Sequence, residues 1–169
     1  MPQSELLRRK SPRLKEFDYS TPGAYFITIC TADRKRILSD IPVGEGLAPP
    51  EAKLSAIGQI VAEQILDLSV RYPSVSIDKY VIMPNHVHLL ISLANGEIPG
   101  GASPSPTVMD VVRTMKSISA RQCSARFRIK PLWQRSYHEH VIRNERDYLE
   151  IWKYIDNNPA RWAEDCYNA

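Results

Sequence analysis

The spacing of hydrophobic residues changes several times along the chain, and each change marks an element. AYFITICTA, from Ala24 to Ala32, is dense in β-branched and aromatic residues and is bounded by Pro22-Gly23 and by DRKR, which predicts a strand. The proline- and glycine-rich IPVGEGLAPP that follows is loop-like. From Glu51 the period becomes helical: Leu54, Ile57, Ile60, Val61, Gln64, Ile65 and Leu68 recur at three- and four-residue steps and predict one amphipathic helix ending near Tyr72-Pro73. SVSIDKYVIM and HVHLLISL are two strands separated only by Pro84-Asn85, a hairpin. The polar segment 94–106 is a loop. Thr107 caps a basic helix whose Val108, Val111, Val112, Met115 and Ile118 share a face. WQRSYHEHVI is a further short strand, and a last helix runs from Asn144 at its N-cap, with Asp147 at the capping-box position, to the breaker Pro159. The order β, α, β, β, α, β, α predicts an α+β, ferredoxin-like fold: a four-stranded, mostly antiparallel sheet with helices packed on it.

Composition adds limits. The 169 residues, 43% of them hydrophobic and 24% charged, suit one domain with a real core. Its expected extent is 18–162, between a basic N-terminal extension over 1–17 and a short tail over 163–169. No apolar run approaches the ~18 residues of a membrane span. The charged start SELLRRKSPRLKEF lacks the apolar core of a signal peptide. The expectation is a cytoplasmic protein with no membrane partner. Cys30, Cys123 and Cys166 are scattered and odd in number, against a disulfide framework or zinc knuckle.

The net charge of +3 is modest, but its distribution is not even. Residues 1–15 carry Arg8, Arg9, Lys10, Arg13 and Lys15 against Glu5; residues 107–130 carry Arg113, Lys116, Arg121, Arg126, Arg128 and Lys130 against Asp110. One such stretch is an ordinary solvated face. Two in a small domain are either solvated faces or a phosphate-binding surface, with Arg8, Arg9, Lys10, Arg13, Arg113, Lys116 and Arg121 as the candidate phosphate contacts.

Two residues apart on a strand, His86 and His88 project from one face while Val87 anchors the other in the core. Two imidazoles so placed can lean toward a common ion, or can be strand histidines satisfied by hydrogen bonds. His138 and His140 repeat the spacing around the charged Glu139, which suits a polar edge or a DNA groove rather than a metal. On the last helix Tyr148, Ile151, Trp152 and Ile155 form the stripe expected to be buried, making Tyr148 a core residue. Tyr154 lies at the rim of that stripe, free to reach a ligand. Asn158, one turn on, is either a third, hard metal ligand or a polar helix end set before Pro159.

Three segments, PGAYFITICT, YVIMPNHVHLLI and WQRSYHEHVIRNERDYLEIWKYIDNNPARW, occur in an order and spacing that resembles the REP-associated tyrosine transposases, single-tyrosine HUH proteins related to the transposases of single-strand insertion sequences. The resemblance runs from Asp18 to Trp162 and includes no feature matching the 94–106 loop. It implies a nuclease and strand transferase acting on single-stranded DNA beside hairpins. It implies further that Mg2+ or Mn2+ sits on His86 and His88, with Asn158 as third ligand, and that Tyr154 forms a 5′-phosphotyrosine. Monomer and helix-exchanging homodimer are both compatible with it. The alternative is a non-catalytic module binding hairpin DNA or RNA through the same sheet, although no strand carries an RNP-like aromatic run. A plain metal hydrolase would need acids near the histidine pair, and the nearest in sequence are Asp78 and Glu97.

Overall fold

The computed structural model describes residues 21–42, 50–94 and 105–168. Its frame is a four-stranded sheet built from β1 (Gly23–Cys30), β4 (Val75–Ile82), β5 (His86–Leu93) and β6 (His138–Ile142), in the order β4-β5-β1-β6. Every pairing is antiparallel. A two-stranded ladder, β2 (Ser39–Asp40) with β3 (Lys53–Leu54), stands beside it. Three helices, α1 (Ala56–Arg71), α2 (Val108–Phe127) and α3 (Glu145–Asn157), complete the α+β fold predicted from the hydrophobic pattern.

The two-residue period of the strands divides the sheet into two unlike faces. Tyr25, Ile27 and Ile29 of β1 and Val87, Leu89, Ile91 and Leu93 of β5 join Ile60, Val61, Ile65 and Leu68 of α1 and Val108, Val111, Val112 and Met115 of α2 in the main core. The intervening residues, Phe26, Thr28, His86 and His88, therefore belong to the opposite face, which α3 and the chain after it partly cover. A buried histidine pair is thus carried on a strand whose other side is fixed by the core.

Local chemistry sets the helix starts. Ser55 Oγ accepts from Gly58 N at 3.0 Å, and Thr107 and Asp110 form a reciprocal capping box. Gly58 is required sterically, because a Cβ there would lie 1.9 Å from the Leu38 carbonyl oxygen. α1 begins at Ala56 rather than Glu51: Leu54, apolar at a helical spacing, instead pairs with Ser39 in the β2–β3 ladder. The WQRSYHEHVI strand is regular only from His138, and Trp133 forms an isolated bridge to Thr31. The Tyr148 stripe of α3 does face the protein, but only Ile155 is fully buried. Tyr148 is half-buried, not core, and its hydroxyl is bonded to Asp78. Arg8, Arg9, Lys10 and Arg13, and most of the 94–106 loop, lie outside the described residues.

Candidate metal and nucleophile site

β5 is a central strand, and the turn before it delivers His86 and His88 to a closed environment, 0% and 1% exposed. His86 Nδ1 lies 2.9 Å from Asn85 Oδ1. Asn85 Nδ2 donates to the Tyr167 carbonyl at 2.6 Å, which fixes the amide's orientation and makes Oδ1 the atom facing His86. An amide oxygen only accepts, so His86 carries its proton on Nδ1 and keeps a lone pair on Nε2. Directly across the ladder, Thr28 Oγ1 is 2.8 Å from His88 Nδ1 and can accept in the same way. The two Nε2 atoms then face one another at 3.1 Å. Two lone pairs so opposed call for a bridging proton or cation, and ~3 Å is the separation of neighbouring ligands bound ~2.1 Å from one ion.

Two oxygens converge on the same point. Asn158 is 3% exposed, its amide lies against both His86 and Tyr154, and its Oδ1 makes no hydrogen bond of full geometry. A buried acceptor left so is costly unless something completes it, and a hard cation would. Asp165 brings Oδ2 to 3.9 Å from His86 Nε2, and ligand atoms of His86, His88 and Asp165 all lie within 4.8 Å of one another. The donor set of two imidazoles, an amide and a carboxylate fits a divalent metal.

Burial governs the electrostatics. It lowers His86 to about 4, against an opposing pull from Asp165 and Asn158. Burial, with His86 adding to it, also holds His88 well below the ordinary imidazole range. Both rings are neutral at neutral pH, so both lone pairs are available without displacing a proton.

Tyr154 stands at the edge of this group. It is 41% exposed, and its hydroxyl is 3.5 Å from His88 Nε2. Phe26 meets its ring at 89° with centroids 5.9 Å apart and limits its swing. Burial and the Asp165 charge raise the phenol's pKa, whereas the Asn158 amide lowers it. Tyr148, two turns earlier, donates instead to Asp78 Oδ2 at 2.9 Å on β4 and is pushed up to about 12, first by burial and then by that bond. The rim position inferred for Tyr154 from helical spacing corresponds to a hydroxyl beside the histidines.

Residues 163–169, expected to be a short tail, supply part of the site through Asp165 and Tyr167. Pro159–Glu164 forms a 3-10 turn, after which the Tyr167 ring lies 4.5 Å from that of His86. Arg36 bonds the Asn168 carbonyl and side-chain oxygen, both at 2.6 Å. Asp165 and Tyr167 escaped the sequence reading because neither falls in a periodic element; an acid and an aromatic ring after a breaker proline look like any chain end. Tyr154, Asn158 and Asp165 share an open cleft of about 510 Å³ with Lys153 and Arg161, cations suited to a phosphate.

The remaining candidates fall elsewhere. His138 and His140 are exposed on the edge strand β6, as expected of a polar edge, with His140 Nε2 bonded to Asp147 at 2.7 Å. Arg113, Lys116 and Arg121 lie on α2, which packs with α1 on the face of the sheet opposite the histidines. Arg113 and Arg121 are exposed, while Lys116 Nζ donates to the Gln134 and Arg135 carbonyls at 2.7 and 3.2 Å.

A structure of a REP-associated tyrosine transposase bound to a REP hairpin superposes with a TM-score of 0.61, at 22% identity over 89% of this chain and 74% of that one. A crystal structure of a transposase candidate from Deinococcus radiodurans superposes with a TM-score of 0.50, also at 22% identity, over 86% of this chain and 97% of that one. Both share the fold. An uncharacterized protein of Haemophilus influenzae is 32% identical over 171 residues, 93% of this chain and 91% of its own length. The family model described as "Transposase IS200 like" matches residues 23–158, a span holding His86, His88, Tyr154 and Asn158, and the chain belongs to that transposase family.

Proposed function

We propose that this protein cleaves and rejoins single-stranded DNA beside hairpins through a 5′-phosphotyrosine on Tyr154. The observation that carries the reading is the buried His86–His88 pair, Nε2 atoms 3.1 Å apart, with the Tyr154 hydroxyl 3.5 Å from His88. His86, His88 and Asn158 would hold Mg2+ or Mn2+, with Asp165 as a further oxygen ligand. When bound, such a cation supplies positive charge that polarises the scissile phosphate and steadies the leaving 3′-oxygen.

The chain's own groups do the rest. Lys153 and Arg161 attract the phosphate into the cleft, and Phe26 keeps the Tyr154 ring edge-on to the histidines. A phenol whose pKa is raised by burial is a poor nucleophile at neutral pH, so it must lose its proton as it attacks. The Asn158 amide favours the phenolate and lies where it can steady it. A Tyr154 oxygen–phosphorus bond forms while the phosphorus–3′-oxygen bond breaks, and the proton given up by the phenol is balanced by protonation of the 3′-oxygen. The phosphodiester's energy is kept in the new linkage, so a second 3′-hydroxyl can reverse the step without ATP. Hairpin substrates are suggested by the REP hairpin bound to the structural relative.

Incubating the protein with hairpin-bearing single strands and Mn2+ should give a covalent protein–DNA band in a denaturing gel, absent with EDTA. Tight hairpin binding with no such band in any divalent metal would favour a non-catalytic binding module.

A further inference from the structure

A cavity of about 920 Å³ lies not at the histidines but between α2 and residues 129–137, the segment leading into β6. Among the described residues its lining holds Arg113, Lys116, Arg121, Lys130 and Arg135 and no carboxylate, whereas the cleft beside Tyr154 holds Glu150, Glu164 and Asp165. Beneath the cations the floor is apolar, with Leu132, Trp133 and Tyr137 buried, and Ser117, Ala120 and Ser124 leave the helix wall low. The walls are tied together. Lys116 clamps two carbonyls of the facing segment, and the Trp133 indole N–H donates to Ser119 Oγ at 3.0 Å.

An apolar slot under an all-cationic rim has few natural occupants. A duplex offers only phosphates to such a surface and would leave the floor unused. An acidic peptide would match the rim, but a flat uncharged heterocycle flanked by phosphates matches rim and floor together. The volume lies within the range of small-ligand sites. The location also fits: Gln134 N donates to the Cys30 carbonyl at 2.9 Å, and Cys30 stands opposite His86 in the β1–β5 ladder. The pocket wall is therefore hydrogen-bonded to the strand end next to the histidine pair.

We propose that this pocket receives an unpaired base of the single-stranded DNA substrate, with the flanking phosphates on Arg113, Arg121, Lys130 and Arg135, while the same strand runs around the sheet end to Tyr154. The proposal rests on the DNA-processing reading but not on cleavage, so its test omits metal. A fluorescein-labelled eight-nucleotide thymidine oligomer is titrated by anisotropy in EDTA. Ser117→Trp, which fills the slot without changing charge, should weaken binding at least tenfold, and Ser117→Ala should stay within twofold of wild type. The Arg113→Ala/Arg121→Ala double variant should lower the slope of log affinity against log salt by about 1.4, at ~0.7 per phosphate.

Wild-type affinity in a folded Ser117→Trp protein, or no measurable binding by the wild type, would overturn the proposal. Should Ser117→Trp fail to fold, irradiation of the wild-type protein with a 4-thiothymidine oligomer decides. Crosslinks within residues 109–137 support the pocket; crosslinks confined to α3 and the residues after it refute it. Loss of the covalent band with pocket binding intact would instead count against the Tyr154 reading alone.

Discussion

The protein carries the motif His-x-His twice on one sheet face, and the two copies have different environments. His86 and His88 sit on the central strand β5, closed from solvent, with outer nitrogens held by Asn85 and Thr28 and inner nitrogens 3.1 Å apart. His138 and His140 sit on the edge strand β6 and are exposed, with Thr28 opposite His138 and Phe26 opposite His140. His140 turns to Asp147 at the start of α3. Spacing puts two imidazoles on one face in both cases. Convergence requires a partner that fixes each ring: Asn85 in the turn does so for His86 and Thr28 on the neighbouring strand for His88, whereas His140 is drawn away by Asp147.

The largest expected effect separates the two copies outright. His86→Ala or His88→Ala should abolish the covalent band while leaving hairpin affinity within a few-fold, whereas His138→Ala with His140→Ala should leave the band within about threefold, read from the same denaturing gels. Full cleavage by the His86→Ala/His88→Ala protein would erase the distinction.

A smaller effect tests whether ring orientation matters. Asn85→Ala and Thr28→Val remove the groups that hold Nδ1 of each histidine, and partners of this kind are worth roughly 10–100-fold in metal affinity. Mn2+ titration by calorimetry should show a loss of that order. An unchanged affinity would mean that packing alone orients the rings. Asn85 also holds the Tyr167 carbonyl, so Thr28→Val is the cleaner of the two.

Tyr148 sharpens the contrast with Tyr154 on the same helix. Tyr148→Phe should leave the covalent band intact and change the alkaline limb of stability. Its folded pKa of about 12 lies above the ~10 of an unfolded tyrosine, so its contribution is fully present below pH 10 and is lost as pH rises through about 12. Denaturant melts between pH 9 and 12 should therefore fall less steeply in the variant. Tyr148→Ala should cost about 2 kcal/mol, less than the ~3–5 kcal/mol of a fully buried ring, because Tyr148 is half-buried.

The smallest effect belongs to the edge. Asp147→Ala removes the carboxylate from an exposed contact with His140, of a kind worth about 0–1 kcal/mol. A larger loss in a thermal melt would show β6 and α3 to be more tightly coupled than their exposure indicates.

The sequence carried the strands and helices well because the apolar period of each is set by the core that buries it: Val87, Leu89 and Ile91 announce β5 as clearly as Ile60, Ile65 and Leu68 announce α1. Spacing put His86 and His88 on one strand face and Tyr154 and Asn158 on one helix face, whereas the meeting of the two faces was implied only by the family resemblance. The sequence could not carry what depends on contacts between distant segments. Leu54 has a helical spacing but pairs in a ladder, Tyr148 follows the buried stripe but answers to Asp78, and Asp165 reaches His86 from beyond a breaker proline. The α2 cations were legible as charge, but their pocket needs the facing segment 129–137, whose irregular backbone has no period to read.

Three tyrosine hydroxyls compete for the central role: Tyr154 beside His88, Tyr167 over His86 and Tyr148 on Asp78. Isolating the covalent product formed with hairpin DNA and Mn2+, digesting protein and DNA, and sequencing the modified peptide by tandem mass spectrometry distinguishes them directly. The account predicts a nucleotide joined through its 5′-phosphate to Tyr154, and no adduct in Tyr154→Phe. A nucleotide on Tyr167 or Tyr148, or an adduct that survives in Tyr154→Phe, would contradict it.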